Sequence, residues 1–251
     1  MRARIAISVA LLAAPAGPAL CAATTTSDLD HAFATAFGAP APLTRHVVRP
    51  VPSGYITSSE PQAVTLVLRP ASLIALGHER YALLAVENEA LAAHAEPGAV
   101  SIAYLTRRPS GWDVERTWPE FAWVGNDGHA SDGVSQQRVR GRRLVFIANN
   151  YVGQGERTIT DVVIQVGPDA PRFLGRIPAA GRLEEGCCRR WIYSSRIGPP
   201  QRDGDLVSVR YVGWTAASGD ARRTRFATRT DFAVTSAGLA PTSAVHLPFV
   251  D

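Results

Sequence analysis

Three stretches of this 251-residue chain hold side chains that could do chemistry. The richest is Gly125-Asn126-Asp127-Gly128-His129-Ala130-Ser131-Asp132-Gly133. Asp127, Asp132 and Asn126 could offer oxygens to calcium, and His129 could pass a proton. Asp127, His129 and Asp132 are therefore the candidate catalytic set of a hydrolase. Their spacing departs from the calcium loop that starts Asp-x-Asp-x-Asp-Gly and closes on glutamate. Asn, Asp and Gly are also what a long turn selects for backbone reasons. A turn is the expected role, and no metal is expected there.

Cys187 and Cys188 are neighbours in the sequence. A relaxed disulfide spans Cα atoms about 4.4–6.8 Å apart, whereas adjacent residues across a trans peptide offer about 3.8 Å. A bond between them would close a tight, easily reduced ring of the kind that switches more often than it staples. If the pair stays reduced, Arg189 and Arg190 would favour the thiolate. The plainer expectation is two small residues without a redox role.

Gly153-Gln154-Gly155 looks like a phosphate cradle but leads into a strand-like run rather than a helix, so a hairpin loop is expected. Trp112 and Trp118 alternate with carboxylates and read as core. Trp123, Trp191 and Trp214 lie near turns and are the better surface candidates. There is no Gly-x-Ser-x-Gly elbow, His-Glu-x-x-His or Cys-x-x-Cys. The six histidines, His31, His46, His78, His94, His129 and His246, show no ligand-like spacing. All 26 basic residues are arginine, which removes lysine Schiff bases, the P-loop lysine and Ser-x-x-Lys acylation. No cofactor motif is found.

The elements that must carry these residues begin with a leader. Arg2 and Arg4 precede an apolar run from Ile5 to about Leu20, and Cys21-Ala22-Ala23 leads into Thr24-Thr25-Thr26. Charge, apolar run and small residues in that order are expected to form a secretory signal over residues 1–23, leaving a single β-rich domain over 24–251. A spanning helix needs about 20 apolar residues, and Pro15, Gly17 and Pro18 interrupt this run. Pro18-Ala19-Leu20 before Cys21 is a poor lipobox, so cleavage without lipidation is expected. The formal charge of +4 counts the leader's two arginines and is too small for a nucleic-acid partner. Arg138 to Arg143 and Arg222 to Arg225 read as charged strand edges, with contact to anionic envelope polymers as the alternative.

A helix should begin at Ser27, with Leu29, Phe33 and Phe37 on one stripe and Gly38 at its end. Residues 39–54, rich in proline, read as an extended connection. Beyond them the pattern is of short strands: Val64–Leu68, Leu73–Leu76, Tyr81–Val86, and a hairpin joining Val100–Leu105 to Trp112–Trp118 across Pro109-Ser110-Gly111. Trp112, Val114 and Trp118 should share one face. Val207, Val209 and Tyr211 should oppose Ser208 and Arg210, and Phe226, Phe232 and Val234 should leave Arg225, Arg229 and Asp231 in water. Turns every 8 to 12 residues or so predict a mainly β fold, antiparallel sheets in a sandwich or barrel-like meander with one short N-terminal helix. A small β-propeller is the alternative.

These features point to an exported bacterial protein, periplasmic or secreted. Its expected role is a non-enzymatic binding or envelope-associated module with an unidentified envelope ligand or protein as partner. A periplasmic hydrolase and an inhibitor or protective partner of a cell-wall enzyme or toxin are the alternatives. A pocket of converging carboxylates would favour the enzyme, and a flat patch of arginine and aromatic residues would favour a binding partner.

Overall fold

The computed structural model describes residues 26–49, 62–89, 98–125, 130, 133–153, 156–183, 189–199, 205–217, 222–243 and 247. A short helix, α1 (Thr26–Phe37), precedes strands that form two antiparallel sheets. The first holds β1 (Leu43–Arg49), β2 (Gln62–Gly77), β3 (Arg80–Glu89), β4 (Gly98–Arg108) and β5 (Gly111–Val124) in sequence order. The second runs β6 (Val134–Val139), β7 (Arg142–Gly153), β8 (Glu156–Val166), β9 (Pro171–Leu183), β10 (Arg189–Ile197), β11 (Leu206–Ala217), β12 (Thr224–Val234) and β13 (Leu239–Pro241), each beside the next.

Period-two burial explains the layering. On β3 and β4, Leu83, Ala85, Ala103 and Leu105 pack with Ala32 and Phe33 of the helix. The alternate residues Ala82, Leu84, Val86, Ile102 and Tyr104 meet Val145, Ile147, Val162, Ile164 and Val166 of β7 and β8. Both sides of the first sheet are thus covered. A third cluster draws on β6 through β12, including Phe146, Val163, Ile177, Trp191, Tyr193, Val209, Tyr211 and Phe232. The second sheet curls around it as a half-barrel, since twisted strands bend a wide sheet out of plane. Two packed layers replace the propeller alternative.

The helix stripe is as expected: Phe33 is fully buried, Leu29 and Phe37 pack beside it, and Gly38 closes the end at φ +80°. Three expectations need correction. Residues 43–49 of the predicted connection are strand β1, paired with β2 from Leu43↔Leu68 to Arg49↔Gln62. Val64–Leu68 and Leu73–Leu76 are one strand, because a bulge between Pro70 and Ser72 absorbs the proline without a turn. Trp112 and Trp118 lie on opposite faces. Tyr104 pairs with Arg116 and Leu105 with Val114, so Glu115 is an extra residue that shifts the alternation. Trp112 therefore joins the helix-side cluster, and Trp118 stacks edge-on against Tyr104, centroids 4.7 Å apart.

The bulged Glu115 ties the layers together. Arg80 grips both of its oxygens, with Nη2 to Oε2 at 2.5 Å and Nε to Oε1 at 2.8 Å, while Thr106 Oγ1 also donates to Oε1. The same guanidinium donates to Pro168 O at 3.0 Å, and Tyr104 Oη donates to Gly167 O at 2.8 Å. Gly167 and Pro168 form the turn after β8, so this knot anchors the second sheet to the first. The Arg80 and Thr106 hydrogen bonds hold the Glu115 carboxyl down to about 2, from an ordinary 4.5. A depressed carboxylate pKa stabilises the fold above the unfolded value, and that stability is lost as pH falls from about 4.5 through about 2. The gap in melting temperature between wild type and Glu115→Gln should therefore be widest above pH 5 or so and narrow towards pH 2. A gap independent of pH, measured by circular dichroism, would remove the ion pair from this account.

Candidate binding surface

The half-barrel buries one side of β10, β11 and β12 and leaves the other in water. Trp191 and Tyr193 of β10, Val207, Val209 and Tyr211 of β11, and Phe232 and Val234 of β12 point inward. The alternation expected for β11 and β12 is the one observed. Trp191 departs from expectation: it lies near a turn in sequence but is only 6% exposed. Its indole packs onto the backbone of β9 where Gly181 supplies the room, since a Cβ there would stand 2.7 Å from both Trp191 and Tyr193 ring atoms. Burial pushes the Tyr193 hydroxyl up to about 12, and raises the Tyr211 hydroxyl and the Asp161 carboxyl as well.

Register assembles the opposite, outward residues into rows. One row runs Arg157, Arg182, Ile192, Trp214 and Arg225 across β8 to β12. A second runs Ile159, Ala180, Ser194, Val212 and Ala227. Arg196, Arg210 and Arg229 stand side by side on β10, β11 and β12. All six arginines are exposed. The side chains of Arg196, Arg210 and Arg225 make no hydrogen bond or ion pair among the described residues. Arg229 is held by Asp231 at 3.0 Å and by Ser208 at 2.9 Å. Asp231 is the one carboxylate among the outward residues of β10, β11 and β12. Its pKa is lowered by the Ser208 hydrogen bond first and by Arg229 second.

Like charges directly opposite on neighbouring strands repel and destabilise the pair. Arg157 against Arg182, Arg196 against Arg210 and Arg210 against Arg229 repeat that cost three times on one face. Val212, 42% exposed, sits in the row between the charged ones, and Ile192, 38% exposed, lies beside Arg182 in the first. An apolar strip beside Arg196 and Arg210, whose side chains have no partner among the described residues, is chemically suited to an anion.

The other polar hollow, about 720 Å³ between α1 and the β4–β5 turn, differs in this respect. Its Arg107 is paired with Asp28 at 3.0 Å and lies 5.5 Å from the Trp112 ring, and Arg108 is paired with Asp113 at 3.1 Å. Its charges are already answered from within the chain.

Asn126, Asp127, His129 and Asp132 lie outside the described residues, as do Cys187 and Cys188 and the leader with Cys21. Gly153 at the end of β7 pairs with Glu156 at the start of β8, and Gln154 and Gly155 between them lie outside the described residues. Of the two predicted basic edges, Arg138 faces Arg143 on the β6–β7 hairpin, where β6 is indeed a sheet edge. From the second cluster, Arg225 belongs to the outward face, and Arg223 covers the Trp214 ring at 4.3 Å. Arg157, Arg182, Arg196 and Arg210 were not legible as a group, because only pairing register brings them together. Comparison with protein-family models, curated proteins and solved structures finds no match to this chain.

The face depends on tight strand contact behind it. A Cβ at Gly213 would sit 2.2 Å from Ile192 O and 2.8 Å from the Phe226 ring, so backbone must move to admit it. Gly213→Ala should cost on the order of 1–3 kcal/mol of stability. Gly198→Ala, where the nearest atom is 3.4 Å away, should cost little by comparison. Equal melting temperatures for the two variants would contradict the packing described.

Proposed function

We propose that this protein is an exported, non-enzymatic binding module that holds an anionic envelope polymer on the arginine face of β8 to β12. The observation that carries the reading is the alignment of Arg196, Arg210 and Arg229 across three strands, two of them without any partner among the described residues. A sheet gains nothing from stacking like charges, and with Arg229 already answered by Asp231, an anion would neutralise Arg196 and Arg210. A rigid sheet is also an economical platform: the guanidiniums are pre-positioned, and little backbone order remains to be lost on binding. Export is read from the basic, apolar and small-residue order of residues 1–23. It would place the face among the anionic polymers of a cell envelope. The candidate hydrolase set, Asp127, His129 and Asp132, gains no support from any described residue.

Heparin, a soluble sulfated polysaccharide, is a suitable probe. It should bind the chain lacking residues 1–23, with affinity falling steeply as salt is added, because exposed charges are screened within about 10 Å at 0.1 M. Arg196→Glu with Arg210→Glu should weaken binding at least about tenfold, a loss of roughly 1.4 kcal/mol. Arg138→Glu with Arg143→Glu, which changes net charge equally on the far hairpin, should have a much smaller effect. If the two double variants weaken binding alike, attraction is to overall charge and the proposed face is wrong.

A further inference from the structure

We infer that the outward face has a second anion anchor, Arg223 and Arg225 around Trp214, and that the ligand bridging both anchors is an extended acidic polysaccharide lying along the strands. This rests on the anionic-partner reading above and deepens it, by assigning the polymer a minimum length, a direction and a chemical class. Arg225 stands directly opposite Trp214 across β11 and β12. Arg223 precedes β12 by one residue, shares the parity of Arg225 and lies over the Trp214 ring, 4.3 Å from its centroid. Two guanidiniums are thereby gathered at one indole. Both residues are exposed, and neither side chain makes a hydrogen bond or ion pair among the described residues.

The ligand follows from three observations. First, the Trp214 ring gives Arg223 a seat without using its hydrogen-bond donors, which stay open to a carboxylate or sulfate. A side chain held in this way has less freedom to lose on binding. Second, the anchor is remote from the Arg196 and Arg210 pair. Four residues of β11 carry the face from Arg210 to Trp214, about 14 Å at roughly 3.4 Å each. A single small anion cannot touch both pairs, whereas one extended polymer can. Joining two contacts in one ligand raises affinity well beyond either alone. Third, the row between the anchors, Ser194, Val212 and Ala227, carries no charge, and Val212 there is 42% exposed. A polymer with an anion on every unit would set negative charge over that row with no cation to meet it. An acidic polysaccharide can lay a neutral ring on Val212 and place its anions at either end. The other arginines of the face are engaged within the chain: Arg229 by Asp231, Arg157 by Asn150, and Arg182 by contacts of its own.

Isothermal titration with hyaluronan fragments tests the assignment, since hyaluronan carries a carboxylate on every second ring. Its disaccharide has a single carboxylate and can fill one anchor, whereas its octasaccharide can bridge both. In salt of about 0.15 M, charges more than about 8 Å apart are largely screened, so bridging rather than overall charge sets the difference. The octasaccharide should bind at least about 100-fold more tightly than the disaccharide. Arg223→Gln with Arg225→Gln should cut that ratio to about fourfold, the statistical share of equivalent carboxylates, while lowering disaccharide affinity no more than about twofold. Arg138→Gln with Arg143→Gln should leave the ratio within about twofold. Trp214→Leu should lower the ratio, because Arg223 loses its seat. Circular dichroism of each variant checks that it folds, and Arg223→Lys with Arg225→Lys, which keeps the charge, should retain part of the ratio. A wild-type ratio near the statistical value, a ratio that the Arg223 and Arg225 changes leave intact, or two affinities that fall in step would each overturn the inference. Polyphosphate of similar length binding more tightly than the octasaccharide would overturn the assignment to a polysaccharide. If heparin still depends on Arg196 and Arg210 in any of these cases, the second anchor alone is misassigned. If heparin is indifferent to them as well, the anionic face falls with it.

Discussion

An eight-stranded sheet of twisted strands cannot stay flat, and the consequences of its curling organise this protein. Curling lets β6 through β12 bury Phe146, Val163, Trp191, Val209, Tyr211 and Phe232 against one another, so the sheet makes its own core. The first sheet has no such option. It is covered by α1 on one side and by β7 and β8 on the other. The strands β10 to β12 are then left with one face in water, free of any packing duty. On that face the sequence places Arg196, Arg210, Arg225 and Arg229, with Asp231 as their one opposing carboxylate. A surface under no structural demand and carrying repeated like-charge pairs is where a functional demand shows most clearly.

The curl is held at defined points, and arginine side chains make most of them. The extra residue in β5 is the carboxylate that Arg80 grips, and the same arginine reaches the turn beyond β8. At the far side, Arg140 pairs with Asp205 at 3.0 Å, Gln137 donates to Gly198 O and Arg142 donates to Val234 O. Side chains thus bridge the β6–β7 hairpin to the ends of β10, β11 and β12, where no backbone ladder among the described residues does. Arg172 donates to Thr235 O and Ser236 O, which pins the β12–β13 turn to the start of β9. Arginine serves twice in this chain. Arg80, Arg140, Arg142 and Arg172 meet carboxylates or carbonyls and close the half-barrel, whereas Arg196 and Arg210 on the outward face are exposed, with side chains that have no partner among the described residues.

Much of the fold was legible because period-two alternation reports burial directly. Val207, Val209 and Tyr211 against Ser208 and Arg210 needed no coordinates to be assigned inside and outside. The helix at Thr26–Phe37 likewise followed from one stripe and a terminal glycine. What alternation cannot carry is register and interruption. Pro70 reads as a break but is accommodated by a bulge, and Glu115 shifts Trp112 to the opposite side from Trp118. Trp191 reads as surface because a turn is close by, yet Gly181 on another strand gives its ring a seat in the core. The binding face was hidden for the same reason. Arg196, Arg210 and Arg229 become neighbours only when three strands pair in one particular register.

The central claim is that the outward face of β8 to β12 receives an anion. Amide hydrogen exchange of the chain lacking its first 23 residues, with and without saturating heparin, tests it residue by residue. The account predicts slowed exchange in β10, β11 and β12, centred on residues 192–196, 208–214 and 225–229, with little change in β3 and β4 of the first sheet. Protection confined to the β6–β7 hairpin, or spread evenly over the molecule, would contradict it.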